Sequence, residues 1–223
     1  MTHGFDDDYW QAHWREQGAR TGAASMPPNP HLVDEIGALP AGTALDAGCG
    51  EGAEARWLAD QGWQVTAADI SAEVLARAAR SAGASRSVRW VEADLSVWTP
   101  DRQFDLVTTH YAHSVLPQLE FYRRLSAWVA PGGTLLIVGH LDRPGRGHAH
   151  GHGHGHGHGV GQGHDPVAEP PAEALVTAVR TAGVLDPHVW EVVTADERVR
   201  TVAGRGGVSR ELHDVVVRAV RRS

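Results

Sequence analysis

The stretch Thr43 to Gly52, T-A-L-D-A-G-C-G-E-G, decides the fold. Apolar Ala44 and Leu45 lead into Asp46, and glycines follow at alternate positions, Gly48, Gly50 and Gly52. Residues 53–61 then carry a helical pattern. A strand that breaks into a glycine-rich turn and then a helix is a cradle for a nucleotide-like ligand. Glycine lets the backbone bend tightly and come close to that ligand. The helix adds free N–H groups and the positive end of its dipole.

The spacing here is G-x-G-x-G, not the G-x-G-x-x-G of dinucleotide folds. Asp46, at the strand end, would repel a pyrophosphate, which speaks against a nicotinamide oxidoreductase. The same carboxylate attracts a ligand bearing an ammonium and a sulfonium. A second acid follows at the right distance. The apolar run Gln64–Ile70 ends in Asp69, nineteen residues after Gly50, near the ~20-residue spacing at which such an acid meets a ribose. A carboxylate there accepts from both ribose hydroxyls. Capping of the next helix is the competing role, shared with Ser71.

Working outward, residues 5–18 read as a helix with Trp10 and Trp14 on one face. Residues 19–30, ending P-P-N-P, form a loop, and 31–39 a second helix. Strands fall at 64–70, 88–95, 104–110 and 134–140, with helices at 53–61, 71–82 and from Pro117 to a turn at Ala130–Gly133. Helix 171–182 and strands 188–195 and 211–221 complete the pattern. Strands alternating with helices imply a doubly wound α/β sheet. Right-handed crossovers place the strand-end loops along one edge.

The chain resembles the class I S-adenosylmethionine (SAM) methyltransferases, nearest the tellurite-resistance and thiopurine branch. The carriers are P-N-P-H-L at 28–32, L-D-A-G-C-G-E-G, Asp69, E-A-D-L at 92–95, F-D-L-V at 104–107 and A-P-G-G at 130–133. The resemblance implies one domain over 1–223: a Rossmann-like seven-stranded sheet of order 3-2-1-4-5-7-6, last strand antiparallel, with a helical cap over 1–40. It implies SAM contacts from Asp46, Gly48, Cys49, Gly50, Gly52, Asp69, Ile70, Asp94, Leu95 and His110. Asp94 and Leu95 would lie near the adenine. His110 and Tyr111, at the end of the fourth strand, would face the reaction centre. His113 follows on the same edge, and either histidine could serve as base; orienting the adenosine or packing under the next helix is the competing role. The fourth strand lacks an Asn- or Asp-Pro-Pro-Tyr/Phe signature and no catechol-type metal triad is evident. A small-molecule acceptor is therefore expected: a thiol, a metalloid or a heteroaromatic compound.

Composition narrows the partners. The chain has 223 residues, net charge −7 with neutral histidine, eight tryptophans and a single cysteine. No basic stripe suits nucleic acid, no apolar run approaches the ~20 residues that cross a bilayer, and no intrachain disulfide can form. A soluble cytoplasmic monomer or homodimer is expected. Cys49 reads as a packed small residue of the cradle, and Glu211, His213 and Asp214 as strand surface.

Residues 145–171 are a His/Gly-rich insertion. Within it, His148, His150, His152, His154, His156 and His158 alternate with small residues. Neutral imidazoles bind Ni2+ or Zn2+, so a metal-storing, metal-delivering or metal-responsive protein on a SAM-binding fold is the alternative reading. Coming after the fifth strand, the tract would stand at the mouth of the site.

Overall fold

The computed structural model describes residues 5–18, 27–82, 87–142, 174–203 and 209–223. Eight strands form one sheet. They are β1 (Thr43–Ala47), β2 (Gln64–Asp69), β3 (Val88–Glu92), β4 (Phe104–His110), β5 (Val129–Leu141), β6 (Leu175–Val176), β7 (Trp190–Ala203) and β8 (Ser209–Arg221). The order is β3-β2-β1-β4-β5-β8-β7, with β6 paired to the end of β5. All pairs are parallel except β5–β8 and β7–β8. The expected order is present, with the two-residue β6 as an eighth strand.

Period-two alternation sorts the strands' side chains onto two faces. Leu45, Val107, Leu135, Ile137 and Val217 pack with Phe121, Tyr122 and Leu125 of α5 (Gln118–Ser126). Ala44, Leu106, Leu136, Val138 and Val216 face the other way. There they meet Leu32 and Ile36 of α2 (Pro30–Ile36), Leu58 of α3 (Ala53–Asp60) and Leu75 of α4 (Ala72–Ala82). With both faces covered, the central strands are continuous apolar runs. The cap helix α1 (Asp7–Gly18) lies against α4: Arg77 donates to the Trp14 carbonyl at 2.9 Å and Ser71 Oγ to Gln11 Oε1 at 3.0 Å.

Several boundaries differ from the sequence reading, each for a local reason. The expected turn at Ala130–Gly133 is a bulge inside β5, where the register on β4 jumps and Gly132 takes φ +77°. β3 stops at Glu92 because Asp94 Oδ1 accepts from Ser96 N and Oγ, at 2.8 and 2.6 Å, and turns the chain. Among the described residues of the helix expected at 171–182, Leu175–Val176 is strand. The helix there is the short α6 (Ala178–Ala182), capped by Thr177. The last two strands are longer than expected because they pair as one long hairpin from Trp190–Arg221 to Ala203–Ser209. The histidine tract lies outside the described residues.

Candidate active site

The glycine turn is tied down from β2. Gly48 N and Cys49 N both donate to the Ala68 carbonyl, at 2.8 and 3.0 Å. Gly50 N donates to Asp69 Oδ2 at 2.9 Å, and Ser71 N to Asp69 Oδ1 at 3.0 Å. The three glycines have φ of +78°, +49° and +73°, where L side chains are strained. There is also no room for side chains. A Cβ on Gly48 would strike Ala112, one on Gly50 would press on Trp14, and one on Gly52 would lie 2.5 Å from Trp90. Trp14 thus brings α1 over the turn. Cys49 is buried, and burial first, then the neighbouring carboxylates, pushes its thiol pKa up, so it stays a neutral packing group.

Three acids converge behind this turn. Asp46 is 1 % exposed and its Oδ2 has no hydrogen-bond partner. Burial, then the charges of Glu54 and Asp69, push its pKa well up. Asp69 is raised by burial too, against N–H donors from Ser71, Gly50 and Ile70. Glu54 Oε1 accepts from Asn29 N at 3.0 Å. An orphaned buried carboxylate oxygen within negative surroundings fits a cation. The ammonium and sulfonium of SAM supply one, and the Asp69 oxygens keep lone pairs free for a ribose. Ile70 is half-buried beside Asp69, Leu95 is buried, and Asp94 is partly exposed with Oδ1 committed to Ser96.

A second cluster lies at the ends of β4 and β5, the expected reaction edge. Tyr111 takes φ +53°, rare for a bulky residue. Its hydroxyl accepts from Arg200 Nη2 at 3.0 Å and Asn29 Nδ2 at 3.3 Å. Arg200 Nε also donates to Asp214 Oδ2 at 2.7 Å, and His31 Nε2 lies 3.0 Å from the same oxygen. Burial, then the Asp214 charge, raise the Tyr111 pKa. Both ring nitrogens of His110 are buried without partners, and burial lowers its pKa. His113 Nδ1 lies 2.9 Å from Gln118 Oε1. The His113 ring packs on Phe5, Trp10 and His140, with centroids 5.0, 6.5 and 5.6 Å away. His140 also contacts Tyr111 at 4.6 Å, and burial, then His113, push its pKa down to about 4.

Residues 44–133 match a family described as a methyltransferase domain. This segment, from β1 into β5, is therefore similar to a methyltransferase domain. An uncharacterized methyltransferase of Mycobacterium tuberculosis is 38% identical over 109 residues, 48% of this chain and 55% of that protein. A malonyl-[acyl-carrier protein] O-methyltransferase of Enterobacter lignolyticus is 40% identical over 97 residues, 41% of this chain and 36% of that protein. The chain thus spans about half the length, or less, of the curated relatives it matches. The magnesium protoporphyrin IX methyltransferase of Synechocystis, solved with SAM, has the same fold: TM-score 0.61, 17% identity and all of both chains covered. These likenesses reach methyltransferases broadly and do not single out the tellurite and thiopurine branch.

The methyltransferase domain match leaves out half of that cluster. Asn29 and His31 come from the cap, and His140, Arg200 and Asp214 from β5, β7 and β8. None was read from the sequence as functional, and Asp214, expected on the strand surface, is 1 % exposed. His140 alone carried a usable signal, since it stands near the end of β5, two residues beyond the partner of His110 on β4. Among the described residues, no group of three or more His, Cys, Asp or Glu is placed to hold a metal ion. No described helix is long and apolar enough to cross a membrane.

Proposed function

We propose that this protein is a SAM-dependent methyltransferase acting on a small-molecule acceptor held between α1 and the β4–β5 edge, the whole chain forming one such domain. The observation that carries this reading is the unpartnered, buried Asp46 oxygen beside Glu54 and Asp69 under a glycine turn that no side chain can enter. A cation suits that place and a pyrophosphate does not. Bound SAM supplies an electrophilic methyl group on a sulfonium, whose departure as a neutral thioether needs no general acid. The chain's own task is then to hold an acceptor in line with that methyl, which by itself provides a large share of the rate.

Asp46 and Glu54 would face the ammonium and sulfonium, Asp69 the ribose hydroxyls, and Ile70, Asp94 and Leu95 the adenine. Tyr111, braced by Arg200 and Asn29, would hold the wall of the acceptor site beside His110 and His113. Thiols, metalloid oxyanions and heteroaromatic compounds remain the acceptor classes we favour, in a cytoplasmic setting. The test is calorimetry with SAM and S-adenosylhomocysteine (SAH) against NAD, followed by an acceptor screen. Tighter binding of NAD than of SAH overturns the reading.

A further inference from the structure

Gln118 opens α5 and is buried. Its amide nitrogen donates to the Ala112 carbonyl at 2.9 Å, which settles which end of the amide is oxygen. That oxygen faces His113 Nδ1 at 2.9 Å. An amide oxygen only accepts, so Nδ1 carries the hydrogen and Nε2 holds the ring's lone pair. Among the described residues Nε2 has no hydrogen-bond partner. One side chain thus selects the tautomer of the histidine at the reaction edge.

The surroundings say what that lone pair can meet. From α1 and the residues just before it, Trp10 and Phe5 bring uncharged ring faces, with His13 beyond Trp10. From β5, His140 stacks at 29°. The charges behind it, Arg200 and Asp214, neutralise each other at 2.7 Å. An acceptor that arrives already ionised needs no base and would lose its water among ring faces. A flat, neutral acceptor gains from the same faces.

We propose that His113 Nε2 is the proton acceptor, with Gln118 as its positioning residue, and that the methyl acceptor is a flat aromatic or heteroaromatic molecule bearing an O–H or ring N–H. The proposal rests on the methyltransferase reading. In the step, the acceptor's oxygen or nitrogen forms a bond to the methyl carbon. The carbon–sulfur bond breaks and its electron pair stays on sulfur. The acceptor's proton passes to Nε2, so the sulfonium's positive charge ends on the imidazolium.

The test uses the full chain, saturated with SAH and labelled in its histidine nitrogens, followed by NMR. The expected result is the Nδ1–H tautomer at His113 in the unsubstituted protein, lost in Gln118→Leu and in Gln118→Met. Umbelliferone or benzimidazole, the O–H and N–H probes, should shift the Nε2 signal, while benzoate and thiocyanate leave it in place. An Nε2–H tautomer in the unsubstituted protein overturns the proposal even if neither variant folds. So does an Nδ1–H tautomer that survives in a folded variant, a shift by benzoate or thiocyanate alone, or silence from all four probes with SAH bound. Failure of SAH to bind is a separate result, and it removes the methyltransferase reading itself.

Discussion

The Gly50 amide donates to Asp69 Oδ2 at 2.9 Å, so the carboxylate that ends β2 also fixes the tip of the glycine turn. Asp69→Ala should therefore weaken SAH binding twice over, through the ribose and through a looser turn. The expected loss is about 1.5–3 kcal/mol, the scale of hydrogen bonds to a charged group. Calorimetry reads it directly, and unchanged SAH affinity in a folded variant would sink the assignment.

Asp46 sets stability against binding. Its folded pKa is raised, so the folded state holds more protons than the unfolded one above ~4 and stability falls as pH rises through the folded value. Asp46→Asn should raise the melting temperature of the ligand-free protein at pH 7–8, with the gain shrinking toward pH 5. SAH affinity should drop in the same variant. A lower melting temperature at pH 7–8 would contradict the cost of burying this carboxylate beside Glu54 and Asp69.

His140 works in the opposite sense. Its pKa is depressed to about 4 from an unfolded value of ~6.5. The unfolded chain then binds the extra proton, so stability is lost as pH falls across that window. His140→Phe keeps the ring contacts with Tyr111 and His113 and removes the titration. Its melting temperature should decline less between pH 6.5 and 4.5 than that of the unsubstituted protein; equal declines would show that other groups govern the acid limb.

Arg200→Leu should be costly. Burial disfavours the Asp214 charge, but hydrogen bonds from His31, Tyr111 and Arg200 hold its pKa below the usual range. Removing Arg200 strands that carboxylate and frees the strained Tyr111. The expected cost is about 3 kcal/mol, typical of breaking a buried pair from one side, measured by urea denaturation. Arg200→Lys should recover only part of it, because one ammonium cannot span Asp214 and the Tyr111 hydroxyl as the guanidinium fork does.

Local chemistry made the cradle readable. Alternating glycines after a strand-end acid spell a tight turn before a helix, though they left the role of Asp69 open, and the limits of β4 follow directly from its apolar run. The brace around Tyr111 was not readable, because Asn29, Arg200 and Asp214 lie far apart in the chain and are polar residues in polar surroundings. Only the crossing of β8 between β5 and β7 brings them to one place. The bulge at 130–133 escaped for a different reason: Pro-Gly-Gly spells a turn, and nothing local says that pairing resumes on the same strand.

The domain match ends at Gly133, just before the part of β5 that pairs with β8 from Thr134 to His140. A fragment cut at that limit would leave the β4 edge from Leu106 to His110 with open amides and carbonyls, ready to pair between molecules. Such a fragment belongs in inclusion bodies. In the intact chain, amides of β4, β5 and β8 should exchange with heavy water together and last, because the slowest-opening unit joins the matched segment to the C-terminal hairpin beyond it.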